Sequence, residues 1–126
     1  MKTGPARRIA IADDSTTFVE AAAGYIAALP GYALAGTARV GGEAIALVRS
    51  AAPDVLLLDL GAVPVRGLDL LRAVRSLPGA PAVVAMTLFH TAEAAAVAIE
   101  AGAVGLVGKD AFVSGLTQVL ARVFPA

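Results

Sequence analysis

Short apolar runs alternate along this chain with stretches whose apolar residues recur every three or four positions. Residues 8–13 (RIAIAD) are apolar and end in carboxylates, as a buried strand does at its polar exit. Residues 16–29 carry Phe18, Ala22, Tyr25, Ile26 and Leu29 at helical spacing, and Pro30-Gly31 stops that helix. Asp14 and Ser15 both stand where a helix N-cap is wanted. Residues 32–38 read as a second strand. Residues 42–51 read as a helix with Ala44, Ile45 and Val48 on one face. Val55-Leu56-Leu57-Leu58 is continuously apolar, as expected of a strand covered on both faces, and it ends at Asp59. Residues 68–77 form a third helical pattern through Leu68, Leu71 and Val74. Residues 82–87 (AVVAMT) are another buried strand. Residues 91–101 are an alanine-rich helix with Gly102 as its C-terminal stop. Residues 105–108 make a last short strand. Residues 111–123 place Phe112, Leu116, Val119, Leu120 and Val123 on one face of a final helix.

The pattern therefore predicts five βα units, hence an α/β fold: a doubly wound parallel sheet with helices on both faces and right-handed crossovers. A length of 126 residues suits a single domain over residues 1–126. The apolar stripes of the first and last helices read as core faces. The alanine-rich helix reads either as a flat docking surface or simply as a good helix former.

Composition narrows the functions this fold can carry. Ten Lys and Arg balance ten Asp and Glu, which argues against direct nucleic-acid binding, since such domains carry a basic stripe. There is no cysteine, and His90 is the one histidine, so neither a disulfide framework nor a Cys/His zinc site is available. Hydrophobic residues make up 58% of the chain, but the uncharged stretches at 21–38 and 76–92 are broken by Pro and Gly. Neither reads as a membrane span, and no long apolar segment directly follows the basic start, so a cytoplasmic location is expected.

In an open α/β sheet, ligands bind at the carboxyl ends of the strands. Asp13-Asp14, Asp59, Thr87 and Lys109 all fall at such ends. Two like unit charges about 4 Å apart repel by about 4 kcal/mol at an effective dielectric of about 20. Three close carboxylates therefore call for a cation, and all-oxygen ligands suit Mg²⁺ or Mn²⁺. A metal and an ammonium beside a carboxylate are what phosphoryl transfer to that carboxylate requires. Thr87 stands ready to hydrogen-bond a phosphoryl oxygen.

From residue 8 to residue 123 the sequence resembles the response-regulator receiver family of two-component signalling, which has the chemotaxis-regulator-like, flavodoxin-like (βα)5 fold with strand order 2-1-3-4-5. Asp13-Asp14 matches the family's metal-binding pair, and Asp59 in VLLLDL matches its phosphoacceptor. Gly67 matches the glycine that opens the third helix, Thr87 the switch hydroxyl, and Lys109 the phosphate-contacting lysine. The resemblance implies that the backbone carbonyl of Gly61 joins Asp13, Asp14 and Asp59 around the metal. It also implies a sensor histidine kinase or phosphotransfer protein as donor and a downstream protein partner, without membrane contact and with a homodimer left open. The segment AGAVGLVGKDA, residues 101–111, is similar to receivers that precede a helix-turn-helix DNA-binding domain.

Several positions depart from the family pattern. Leu88 replaces the usual small residue after the switch hydroxyl and is expected to stand at the mouth of the site and hinder donor entry. Ala62-Val63 replaces Met-Pro, with Pro64 one place late, and Leu106 stands where a Tyr or Phe switch residue is usual. Asp110, not proline, follows the lysine. The favoured expectation is a phosphoacceptor module that modifies itself once, not a turnover enzyme. The alternative is a pseudo-receiver that binds partners without phosphate control. A phosphatase of the haloacid dehalogenase-like type lacks support, because Asp13-Asp14-Ser15 has no second aspartate two places after the first. A flavodoxin-like cofactor binder would want a Ser/Thr/Gly-rich phosphate loop where this chain has carboxylates.

Overall fold

A computed structural model describes residues 5–61 and 63–125. Ala62, part of the altered stretch after Asp59, lies outside the described residues. The strands are β1 (Arg7–Ala12), β2 (Tyr32–Ala38), β3 (Val55–Asp59), β4 (Ala82–Thr87) and β5 (Gly105–Gly108). The helices are α1 (Thr16–Ala28), α2 (Gly42–Ala51), α3 (Pro64–Arg75), α4 (Ala92–Glu100) and α5 (Phe112–Val123). All strand pairings are parallel, in the order β2-β1-β3-β4-β5, which is the expected doubly wound topology.

Side chains on a strand alternate between faces, and the two faces of this sheet have separate cores. Ile9, Ile11, Val55, Leu57, Val84, Met86 and Val107 pack with Ala22 and Ile26 of α1 and Leu116, Val119 and Leu120 of α5. The residues between them, among them Ala10, Leu56, Leu58, Val83 and Leu106, pack with Ala44, Val48, Leu71, Val74 and Ala98 of α2, α3 and α4. The run Val55-Leu56-Leu57-Leu58 is therefore split residue by residue between both cores, and all four are buried. A truncation such as Leu57→Ala should cost about 3 kcal/mol, from lost transfer energy and the cavity left behind. Small alanines at Ala10, Ala12 and Ala85 line the face that carries three helices.

Helix boundaries agree with the pattern at most ends. Ser15 is the N-cap of α1, its Oγ accepting the N–H of Phe18 at 3.3 Å. Gly102, at φ +116°, follows the cap residue of α4 and donates its N–H to the carbonyl of Ile99 at 3.0 Å.

Helix α3 departs from expectation. It begins at Pro64, four residues before the expected start at Leu68. Proline suits the first helical position, where its missing N–H would have had no intrahelical partner anyway. Gly67 consequently does not open the helix but lies within its first turn. It is glycine for a packing reason: a Cβ there would meet the Leu60 carbonyl oxygen at 2.2 Å. The backbone of α3 thus rests directly on the residue after Asp59.

Candidate functional site

The site forms at the carboxyl edge of the sheet, where β1, β3, β4 and β5 deliver their last residues side by side. Asp13 leaves β1 with its N–H held by the Ala38 carbonyl of β2 at 3.0 Å. Its carboxylate turns back, and Oδ1 accepts the N–H of Ser15 at 2.8 Å. The other oxygen, Oδ2, is buried and makes no hydrogen bond of normal geometry. The ammonium of Lys109 stands 2.6 Å from it as a counter-charge. The same ammonium lies 3.4 Å from Oδ1 of Asp59. Only a tenth of the Lys109 side chain is exposed, and the Asp13 side chain is fully covered.

Asp59 is the last residue of β3, fixed from behind by the Leu60 N–H donating to the Met86 carbonyl at 3.0 Å. Its carboxyl is pushed above the ordinary value, first by burial and next by the charge of Asp13. The Lys109 ammonium and the N–H of Gly61 pull the other way without cancelling the rise. Asp59 is thus one member of an acid pair bridged by one lysine, and it keeps a partly open face. Two hollows meet on it. One is lined by Asp14, Asp59, Gly61, Val63 and Gly67. The other is lined by Asp59, Thr87, Leu88, Phe89, Ala94 and Lys109.

Asp13, Asp59 and Lys109 therefore come together as expected. Thr87 closes β4 and shares the second hollow, its Oγ1 accepting the Phe89 N–H at 3.3 Å. Asp14 shares the first hollow, exposed, with Oδ1 accepting the Val40 N–H at 3.1 Å. Among the described residues, no three His, Cys, Asp or Glu side chains converge as a metal cage of their own. Leu88 stands at the rim, 67% exposed, beside Phe89 at 82%. Leu106 is buried in the core beneath α4.

One neighbour of Lys109 carries no mark in the sequence pattern. The Lys109 ammonium sits 4.6 Å from the centroid of the Phe18 ring, in cation–π contact. Phe18 lies on the apolar stripe of α1, so spacing alone assigns it to the core. The available signal was its place one turn after Asp14, on the helix that begins at the site.

The fold and this edge define an α/β domain arranged around one accessible, lysine-paired aspartate. A model of the response regulator receiver domain matches residues 9–121, and the chain belongs to that family. It is 37% identical over 103 residues to protein-glutamate methylesterase/protein-glutamine glutaminase 5 of Myxococcus xanthus, covering 81% of this chain and 30% of that protein. The chain spans about a third of the length of the curated methylesterase relatives it matches. A LuxR-family response regulator from Aurantimonas sp. SI85-9A1 superposes with a TM-score of 0.78 at 30% identity, over 93% of this chain and 86% of that one. The structure of the P1 domain of CheA3 in complex with CheY6 from R. sphaeroides gives 0.79 at 23% identity, over 98% and 100%. The Mn²⁺-bound form of response regulator Rcp1 gives 0.72 at 18% identity, over 95% and 96%. The last two likenesses are of fold.

Proposed function

We propose that this receiver domain, taken as the single domain of residues 1–126, accepts a phosphoryl group on Asp59. The observation that carries the reading is the bridge from Asp13 through the Lys109 ammonium to Asp59, with one face of Asp59 open to the cleft. A carboxylate oxygen of Asp59 attacks phosphorus, and the bond from phosphorus to the donor's leaving atom breaks. Lys109 offsets charge on the transferring oxygens, and Thr87 donates its hydroxyl hydrogen to one of them. The group is later lost to water, so the domain is changed once per cycle and is not a turnover enzyme.

Mg²⁺ or Mn²⁺ fits the residues present. Asp14, Asp59 and Gly61 line one hollow and offer oxygen ligands alone, and the carboxylate of Asp13, paired with Lys109, stands beside Asp59. Mg²⁺ keeps several waters and needs only one or two carboxylates, so a complete protein cage is not required. Asp13, Asp14, Asp59 and the Gly61 carbonyl would hold the ion. When bound, it supplies positive charge against the phosphoryl oxygens.

A histidine kinase or phosphotransfer protein is the donor on this reading, in the cytoplasm, with a protein partner reading the result. The related CheY6 complexed with a CheA3 P1 domain supports that class of donor. No described helix is long and apolar enough to cross a membrane. With both carboxylates and the lysine in contact, no observation favours the pseudo-receiver alternative. The test is acetyl phosphate with Mg²⁺, followed by intact-mass measurement. Wild type should gain one phosphoryl group and Asp59→Asn none; equal modification of both, or of neither, overturns the assignment.

A further inference from the structure

Lysine carries its ammonium on a flexible four-carbon stem, and holding that stem in one geometry costs rotamer entropy. Here the ammonium has two anionic neighbours at unequal distances, 2.6 Å to Asp13 and 3.4 Å to Asp59. It is also held near the face of Phe18, at 4.6 Å from the ring centroid. A ring face attracts a cation without competing for a phosphoryl oxygen, because it has no hydrogen to donate and no full charge.

The ring is itself fixed from behind. Phe112 meets it edge-on, with centroids 5.2 Å apart and planes at 84°. Tyr25 meets Phe112 in the same manner at 6.0 Å, and its hydroxyl shares a hydrogen bond with Thr117 Oγ1 at 3.0 Å. This stack ties α1 to α5. Lys109 and Phe112 are three residues apart, across the turn that joins β5 to α5, and both touch Phe18. The Ser15 cap that accepts the Phe18 N–H also donates its own N–H to Asp13. One turn of α1 therefore orients both the acid and the ring that flank the ammonium.

We propose that Phe18 is a positioning residue of the phosphoryl-transfer site: its ring, braced by Phe112 and Tyr25, keeps the Lys109 ammonium between Asp13 and Asp59, within reach of the incoming group. The functional half of this inference rests on Asp59 being the acceptor. The positional half does not.

The experiment uses the full chain, with Phe18→Leu to remove the ring at similar volume and Phe18→Tyr to restore it. In proton NMR, the ε-methylene protons of Lys109 should lie upfield from ring current in wild type and Phe18→Tyr, and at ordinary positions in Phe18→Leu. With acetyl phosphate and Mg²⁺, the rate of mass gain should fall about fivefold in Phe18→Leu and return to within about twofold in Phe18→Tyr. A Leu variant as fast as wild type, or a Tyr variant as slow as the Leu variant, overturns the inference. Lys109 signals unmoved by Phe18→Leu overturn it independently. A wild type that takes up no phosphoryl group while the Lys109 signals behave as stated condemns the reading of Asp59 and leaves the positioning standing. Should Phe18→Leu fail to fold, Phe112→Leu takes its place, with the same readouts and a smaller drop expected from a ring left unbraced.

Discussion

The two walls of the cleft around Asp59 differ in what holds them. On the β1 and β5 side, Asp13, Lys109 and Phe18 meet through one ion pair and a ring face, and a second ion pair joins Lys109 to Asp59, with the Asp13 side chain fully covered and Lys109 nearly so. On the β4 side, Thr87 is followed by Leu88 and Phe89, two apolar side chains mostly in solvent. The first wall is coupled: moving Asp13 or Lys109 leaves a buried charge without its partner, which is costly. The second wall is loose, because exposed apolar groups have few contacts to lose. Substitutions on the first wall should therefore alter chemistry strongly, and those on the second should tune access.

The largest effect is expected from Lys109→Met, which keeps length and removes charge. Its phosphorylation by acetyl phosphate should slow about a hundredfold, the usual cost of removing one group that stabilises developing charge. A time course of intact mass measures it. A drop of less than about threefold would mean that Lys109 only screens Asp13 and Asp59 in the resting protein. Next comes the floor between the walls. Gly67→Ala sets a Cβ 2.2 Å from the Leu60 carbonyl, a backbone clash that no side-chain rotation relieves. A loss of about 2 kcal/mol in urea unfolding is expected, together with slower phosphorylation as Leu60 and Asp59 shift.

Smaller, and dependent on pH, is the effect of Asp59 itself. Its carboxyl is raised by burial and by Asp13, so the folded chain binds that proton more tightly than the unfolded chain. The associated stability is present below the unfolded carboxylate range and is lost as pH rises through the interval up to the folded value. Asp59→Asn should therefore gain stability over wild type, on the order of 1 kcal/mol, at neutral pH and not at low pH. Urea unfolding at pH 7 and pH 3 compares the two. A gain that is equal at both values would tie the effect to packing instead of ionisation.

The polar strand ends on both walls were legible in the sequence because parallel topology gathers strand ends whatever the intervening chain. Asp13, Asp59, Thr87 and Lys109 could be placed from apolar runs alone. Phe18 was not legible, since an aromatic on a helix stripe has the same period whether it faces aliphatics or an ammonium. The start of α3 is hidden for a local reason: Gly67 suggests an opening, while Pro64, the better signal, resembles a displaced loop proline. The backbone tie from Asp14 to Val40 was beyond any pattern, because it joins loops 26 positions apart.

On the loose wall, Leu88→Ala should speed modification by acetyl phosphate about threefold without moving the site. Leu88 lines the same hollow as Asp59, Thr87 and Lys109 and narrows its mouth, so shortening it widens the approach. The gain is modest because an exposed leucine can rotate aside at little energetic cost. Equal rates would mean that Leu88 already swings clear of the approach.

The smallest effect concerns the readout, and it separates the two walls most sharply. In the receivers that this chain resembles, the switch hydroxyl moves towards the phosphoryl group and an aromatic on the fifth strand turns inward behind it. Leu106 occupies that position here and is already 92% buried, since only 8% is exposed, packed in the cluster that holds Ala85, Ala98 and Ala101. It has no ring to bring in and no hydroxyl to pair again. Turning it outward would expose apolar surface in both the free and the modified chain. A ligand biases two states only by the difference in its interactions with them, and Leu106 offers little difference. Amide shifts with and without the phosphoryl mimic beryllofluoride should therefore change strongly around Asp59 to Gly61 and Lys109, and weakly along β5, α4 and α5. Leu106→Tyr, which supplies a ring and a hydroxyl, should enlarge the second set while leaving the first in place. Changes in α4 and α5 of wild type as large as those beside Asp59 would show that Thr87 and the exposed Leu88-Phe89 segment carry the signal by themselves.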